Sequence, residues 1–332
     1  MKSKLIIVPL LSLFMFLPVR GELLTPENQV IYLRHIIEQT YDRQQREAAL
    51  KLMANTGTYQ ALTFATSLLK DENIAYTAAQ TIWTILSNHP EYNGTETRQT
   101  LTAILPMLKA GQRREARAWL NNADPNEEGF VCLFNGKNLD GWKGLVENPI
   151  ARSKMTSEQL AEAQRKADEL MRRDWIIENG DMVYIGNGWD NICTVKNYAD
   201  FELLVDWRLD PNGKEPDAGV YLRGAPQVQI WDIRRTNVGA QVGSGGLYNN
   251  QKNPSKPTSV EDNKLGEWNT FRIIMKGEKV TVWLNGVKVV DDVVLENYWD
   301  RKQPIFPCDQ IEMQAHGSRC YFRNIYVKEI KD

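Results

Sequence analysis

Phe201-Glu202-Leu203-Leu204-Val205-Asp206-Trp207-Arg208 is the stretch that decides the fold. Phe201, Leu203, Val205 and Trp207 fall on one side of an extended chain, and Glu202, Leu204, Asp206 and Arg208 on the other, the two-residue period of a strand with one buried face. Similar segments follow or precede it at 175–177, 182–185, 219–223, 227–232, 271–276, 279–284, 287–290, 311–315 and 320–330. Asn179-Gly180 and Asn285-Gly286 each sit between two such segments, and Asn-Gly tolerates the positive φ angles of a type I′ turn, so both predict tight hairpins. Many short strands at this spacing predict a mainly β fold, a sandwich or jelly roll. One interruption is helical. Thr156 and Gln159 are spaced as a capping box, so a helix at about 156–173 is inserted near the start of the sandwich.

Upstream the period changes. Residues 25–121 read as successive helices of some 13 to 18 residues, packed as antiparallel pairs, with Thr25-Pro26-Glu27 as a start signal. Val30, Leu33, Ile36 and Ile37, and later Ala78, Ile82, Ile85 and Leu86, recur at helical spacing. The series is loosely similar to HEAT-type repeats. His35 and His89 read as surface or packing residues rather than ligands. The polar run from Asn121 to Gly129 predicts the boundary between a helical domain at 22–124 and a sandwich at 128–332.

The first 21 residues stand apart. Lys2 and Lys4 precede an almost wholly apolar run from Leu5 to Leu17, and Val19-Arg20-Gly21 offers a cleavage site, so an exported, periplasmic or cell-surface protein is expected. The run is shorter than the roughly 20 residues that span a bilayer. With 40 basic against 42 acidic residues spread along 332, no electrostatic footprint for nucleic acid exists. Export permits disulfides among Cys132, Cys193, Cys308 and Cys320. Cys132 and Cys320 lie in the first and last strand-like segments and are the first pair to test; the other reading is four free thiols. No cysteine or histidine spacing suggests structural zinc.

An ordered series of motifs then runs through the sandwich: Gly129-Phe130-Val131-Cys132-Leu133-Phe134-Asn135-Gly136-Lys137-Asn138-Leu139-Asp140-Gly141-Trp142, Asp200-Phe201-Glu202-Leu203, Asp217-Ala218-Gly219-Val220-Tyr221-Leu222-Arg223-Gly224, Val228-Gln229-Ile230-Trp231-Asp232, Gly266-Glu267-Trp268-Asn269, Leu284-Asn285-Gly286, Gln314-Ala315-His316-Gly317 and Phe322-Arg323-Asn324-Ile325. In this order it resembles the 3-keto-disaccharide hydrolase domain. The resemblance implies a concanavalin-like, lectin-like jelly roll, carbohydrate processing at the periplasm or surface, and cleavage of glycosides already oxidised at carbon 3. One position departs: where such domains often show Glu-Val-Gln, this chain has Gln227-Val228-Gln229.

Strand parity indicates which side chains can converge. Gln227, Gln229 and Trp231 share a face, as do Tyr221 and Arg223, Glu202, Asp206 and Arg208, and Glu312, Gln314 and His316. On a curved sheet these polar sets predict one concave surface suited to sugar hydroxyls, with Trp231, Trp189 and Tyr248 able to stack on a pyranose. A ketone at carbon 3 acidifies the proton at carbon 2. His316 is then the candidate base or acid, Asp206 or Asp232 its partner or substitute, Arg223 the stabiliser of enolate charge, and Gln229 and Gln314 the positioning amides. A divalent metal on Gln229, Asp232 or His316 is an alternative way to stabilise that charge. Against these roles stand plainer ones: His316 satisfying a turn, Arg223 and Asp206 forming a cross-strand ion pair, Asp232 anchoring a loop. The segment 236–264 reads as a binding loop presenting Tyr248, Asn249 and Asn250. Two functional classes fit: an enzyme cleaving 3-keto-glycosides and a non-catalytic glycan-binding module, with the helical domain available to dock a protein partner.

Overall fold

The computed structural model describes residues 24–331; the basic and apolar start on which the export expectation rests lies outside them. The chain divides into two compact units, one of residues up to 92 with 98–123, the other of 93–97 with 124 onward.

The first unit is built from α1 (Pro26–Gln39), α2 (Arg43–Met53), α3 (Tyr59–Ser67), α4 (Ala75–Asn88), most of α5 (Thr95–Ile104) and α6 (Ala110–Asn122). Thr25 starts α1 by accepting the Asn28 N–H on its hydroxyl, with Pro26 in the first turn. Ala78, Ile82, Ile85 and Leu86 all lie buried along α4, as their spacing predicts. The helices run 9 to 14 residues, shorter than expected, because single 3₁₀ turns end several of them. His35 is exposed. His89 hydrogen-bonds the Glu91 carboxylate at 2.9 Å and stacks on Tyr92, a packing role.

The second unit is a sandwich of two antiparallel sheets. Its strands are β1 (Val131–Cys132), β2 (Trp142–Gly144), β3 (Trp175–Glu178), β4 (Asp181–Tyr184), β5 (Ile192–Thr194), β6 (Phe201–Leu209), β7 (Asp217–Leu222), β8 (Ala225–Trp231), β9 (Asn269–Lys276), β10 (Lys279–Leu284), β11 (Val287–Val294), β12 (Glu312–Met313) and β13 (Cys320–Glu329). The larger sheet has the order β11-β10-β9-β6-β13-β4-β3, with β1 added on β13; the smaller has the order β2-β5-β12-β7-β8. Phe201, Leu203, Val205 and Trp207 of the large sheet share one buried cluster with Val220, Val228, Ile230 and Met313 of the small one, so the apolar faces chosen by alternation meet in the middle. Both hairpins form with the expected left-handed pairs, φ 53° and 84° at Asn179-Gly180 and 51° and 85° at Asn285-Gly286. Two helices, α7 (Pro149–Arg152) and α8 (Ser157–Asp174), interrupt the strands, and Thr156 and Gln159 close the predicted capping box.

The Cys132–Cys320 pair does not bridge, and all four cysteines are free, the other reading of the sequence. The strands β1 and β13 are neighbours as anticipated, but their register sets Cys132 opposite Tyr326. Cys320 is six positions along the same strand, roughly 20 Å away at the rise of an extended chain, far beyond disulfide reach.

Candidate functional site

The outer face of the small sheet carries a polar grid. Register places Glu312 between Cys193 and Tyr221, and sets Asp217 opposite Trp231 and Gly219 opposite Gln229. Just beyond β12, the Gln314 N–H donates to the Gly219 carbonyl at 3.0 Å, which continues the same alignment to His316. Tyr221, Gln227, Gln229, Trp231, Tyr248, Gln314 and His316 therefore line one open cavity of about 420 Å³, as parity predicts. Gly219 is the floor. A Cβ there would lie 3.0 Å from Gln314 Oε1 and 3.1 Å from Gln227 Cδ, so the missing side chain is what lets the two amides approach.

The amides are ordered in series. The Gln227 side-chain N–H donates to Gln229 Oε1, and Gln229 Nε2 donates to Asp217 Oδ1 at 2.7 Å. Asp217 Oδ2 faces Arg235 Nη1 at 3.5 Å and His316 Nδ1 at 4.0 Å. Burial pushes the Asp217 carboxyl up to about 7, against the opposing pull of the Gln229 hydrogen bond and the Arg235 charge. Burial also holds His316 below its ordinary value, so the ring is neutral at neutral pH. His316 Nδ1 and Gln314 Oε1 are buried with no hydrogen-bond partner among the described residues. Glu312, the register partner of Tyr221, is 1% exposed, and burial pushes its carboxyl up to about 8. The same burial raises the Tyr221 phenol, which stays un-ionised.

Aromatic rings rim the cavity. Trp189, 62% exposed, does not line the cavity itself but stands edge-on to His316 at 4.5 Å between ring centres. Trp231 and Tyr248 meet at 5.2 Å and 89°. Tyr298 and Trp299 close another side, and the Trp299 indole N–H donates to the Gly224 carbonyl at 2.7 Å. The 236–264 segment is tied down rather than loose. Ser244 donates from its N–H and hydroxyl to Asp262 and accepts the Trp231 N–H, while Glu296 accepts the N–H groups of Gln251, Lys252 and Asn253. Tyr248 and Asn249 reach the cavity as expected, but Asn250 turns inward and donates to the Pro254 and Val294 carbonyls.

Three expected catalytic residues lie elsewhere. Arg223 is 2% exposed and adopts a left-handed φ of 51° in the turn after β7, which ends the strand alternation at Leu222. Its guanidinium donates to the Ala199, Gly277 and Phe306 carbonyls and to Asp200, a structural clamp. Asp206 belongs to β6 of the large sheet, so its face looks away from the small sheet's outer surface. It accepts from the Thr270 hydroxyl and from Asn324 Nδ2. Arg223 and Asp206 do not pair with one another either; Asp206 faces Arg323 at 3.6 Å. Asp232 follows the last residue of β8 and is held by Arg234 at 2.9 and 3.0 Å, the loop-anchoring role. The three suggested metal donors share no centre, because Asp232 is occupied by Arg234 and Gln229 Oε1 by Gln227. Among the described residues no three His, Cys, Asp or Glu side chains cluster as metal ligands would.

Sequence reading passed over Asp217, Arg235, Tyr298 and Trp299, and put Glu312 on the polar face without assigning it a role. Asp217 carried a usable signal, since it shares parity with Gly219 and Tyr221 on β7. Glu312 shared the parity of Gln314 but had no partner in sequence to suggest a role. Arg235, Tyr298 and Trp299 come from irregular segments, where no periodicity reports direction.

The sandwich thus carries amides, a carboxyl, an imidazole and indole rings around one open hollow. Residues 129–328 match the 3-keto-alpha-glucoside-1,2-lyase-like domain, and the chain belongs to that family. Among solved structures, a protein from Parabacteroides distasonis ATCC 8503, provisionally named a glycosyl hydrolase, is 23% identical with a TM-score of 0.43 over 61% of this chain and 95% of its own. A second such protein from that organism is 21% identical with a TM-score of 0.42 over 61% and 100%. The carbohydrate-binding module CBM66 of Bacillus subtilis is 10% identical with a TM-score of 0.33 over 57% and 96%. No curated protein matches the chain. No helix among the described residues is long and apolar enough to cross a membrane.

Proposed function

We propose that the chain cleaves glycosides oxidised at carbon 3, by elimination followed by hydration, in the hollow of the small sheet. The observation that carries this reading is the placement of a neutral His316 and a carboxyl poised near 7, Asp217, over a floor of positioning amides. A group titrating near the working pH is suited to accept and return a proton. His316 takes the proton from carbon 2, whose electron pair delocalises into the ketone. The C1–O bond then breaks with its electrons on the leaving oxygen, which regains a proton. Water adds across the resulting double bond, its hydroxyl to carbon 1 and a proton to carbon 2. Arg235, which lines the cavity, takes the charge-stabilising part first expected of Arg223. Gln227 and Gln314 meet hydroxyls, Gln229, itself hydrogen-bonded to Asp217, orients Gln227, and Trp189, Trp231 and Tyr248 flank the ring. Export, supported by the basic and apolar start of the chain, would bring the site to extracellular glycans.

Gln227 favours a second reading. The amide stands where relatives often carry a glutamate, and its N–H is spent on Gln229, which suits a binding module without turnover. Incubation with a 3-keto-glucoside and with the same glucoside unoxidised separates the two. Aglycone released only from the ketone supports the enzyme, whereas tight binding without release from either supports the module.

A further inference from the structure

A second cavity of about 220 Å³ adjoins the first and shares Gln229, Trp231, Val238 and Tyr248 with it. Its chemistry differs. The added walls are Val242, Pro257 and the bare backbone of Gly239, Gly243 and Gly246. The backbone there is closely packed: a Cβ on Gly246 would lie 2.6 Å from the Ser255 carbonyl oxygen and 2.9 Å from Pro257. Its only other side-chain polar groups are Gln241, Ser255 and Lys256, with Gln241 and Lys256 exposed. Ser244 bound to Asp262, and Glu296 bound to the 251–253 backbone, hold this wall in place before any ligand arrives.

A pyranose carries hydroxyls around its whole ring, and each one buried without a partner costs free energy. The first cavity answers that demand with Gln227, Gln314, the Asp217 carboxyl and the His316 imidazole; the second has the shared Gln229, exposed Gln241 and Lys256, and Ser255, against a larger share of apolar wall. From this contrast, and resting on the cleavage reading above, we infer that the second cavity receives the leaving group and that the preferred substrate is an aryl glycoside rather than a disaccharide. An aromatic ring fills apolar walls and meets Trp231 and Tyr248 without leaving hydroxyls unpaired. On cleavage, the C1–O electron pair passes to the phenolic oxygen, which takes the proton that the base removed from carbon 2.

Binding and turnover test this separately. Titration with phenyl and methyl glucosides of both anomers reads the cavity without chemistry, and the phenyl compound is expected to bind about tenfold tighter, the scale of partly burying one ring. Val242→Asp erases that advantage and leaves the methyl compound unchanged; Val242→Thr, closer in shape, keeps the test alive if the first variant folds poorly. Among oxidised substrates, the phenyl 3-keto-glucoside is expected to be cleaved faster than a 3-keto-disaccharide. Phenyl and methyl glucosides bound within twofold of each other overturn the inference, as does a loss in Val242→Asp that is equal for both. If the phenyl preference is found but no ketone is cleaved, the cavity assignment stands and the catalytic reading fails.

Discussion

His316 Nδ1 stands 4.0 Å from Asp217 Oδ2, too far for a hydrogen bond. Asp217 is buried and His316 half-buried, and burial disfavours both charged forms, so the pair rests as a neutral imidazole beside a carboxyl that titrates near neutrality. Aligned chain segments bring them together, since β12 pairs antiparallel with β7 and its continuation carries His316 alongside Asp217.

Replacing Asp217 by Asn is expected to lower turnover by roughly a hundredfold or more, the scale of a lost acid or base. Its effect on stability has the opposite sign. The ordinary carboxyl titrates at 3.8 and this one at about 7, so between those values the folded chain holds a proton that the unfolded chain releases, and stability declines as pH rises through that window. Asp217→Asn therefore melts higher than the parent at pH 8 and about equally near pH 4. A lower melting temperature at pH 8 would mean that the ionised carboxylate is held favourably.

Gly219→Ala should spare the fold and damage the site. The added methyl meets the movable ends of Gln314 and Gln227 rather than backbone. Melting is expected to shift by only a few degrees, about 1 kcal/mol for a domain of this size, while substrate affinity falls about tenfold as the amides splay. Calorimetric titration beside a melting curve reads both.

For Arg223 the pattern reverses. Its guanidinium is buried and serves three carbonyls and Asp200, so Arg223→Ala leaves Asp200 and those carbonyls uncompensated at a cost of about 3–5 kcal/mol. Arg223→Lys recovers only part, because an ammonium cannot reproduce the planar fork. The folded fraction of either variant keeps its rate per molecule; a large fall in kcat at full folding would return Arg223 to the active site.

Glu296 pins the wall of the second cavity. Hydrogen bonds from the Gln251, Lys252 and Asn253 N–H groups hold its carboxyl down at about 2, below the ordinary 4.5. The stabilisation is present above pH 4.5 and disappears as pH falls through about 2. Glu296→Ala is expected to cost about 1–3 kcal/mol at neutral pH, through backbone donors left unpaired, and to open residues 249–257 to proteases. An unchanged cleavage pattern would show that the loop holds by other means.

Glu312 tests burial alone. A carboxyl pushed up to about 8 is neutral in the fold at pH 7, so Glu312→Gln keeps both shape and charge state there. The unfolded carboxyl titrates at 4.5 and the folded one at about 8, so the parent loses stability as pH rises through that window and the variant does not; the variant melts higher at pH 8 and above, and the two coincide near pH 4.

The fold was legible because its signals are local. Alternation from Phe201 to Trp207 names the buried face of β6 whatever it packs against, Asn-Gly at 179 and 285 closes a hairpin by its own torsions, and Thr156 with Gln159 caps a helix within a single turn. For the same reason Gln227, Gln229 and Trp231 could be put on one surface from spacing alone, and the cavity holds all three.

Which sheet a strand joins is settled by pairing across long stretches of chain, and no period within the strand records it. Asp206 has the right parity and the wrong sheet; Arg223 has the right strand and a turn that rotates it away; Cys132 and Cys320 sit on neighbouring strands in the wrong register. Sequence by itself determined the strands, their buried faces, the tight turns and the polar stripes. Tertiary structure alone decided that the stripes of β7, β8 and β12 share one hollow while that of β6 faces the opposite side, because two sheets packed through their apolar faces must turn their polar faces apart.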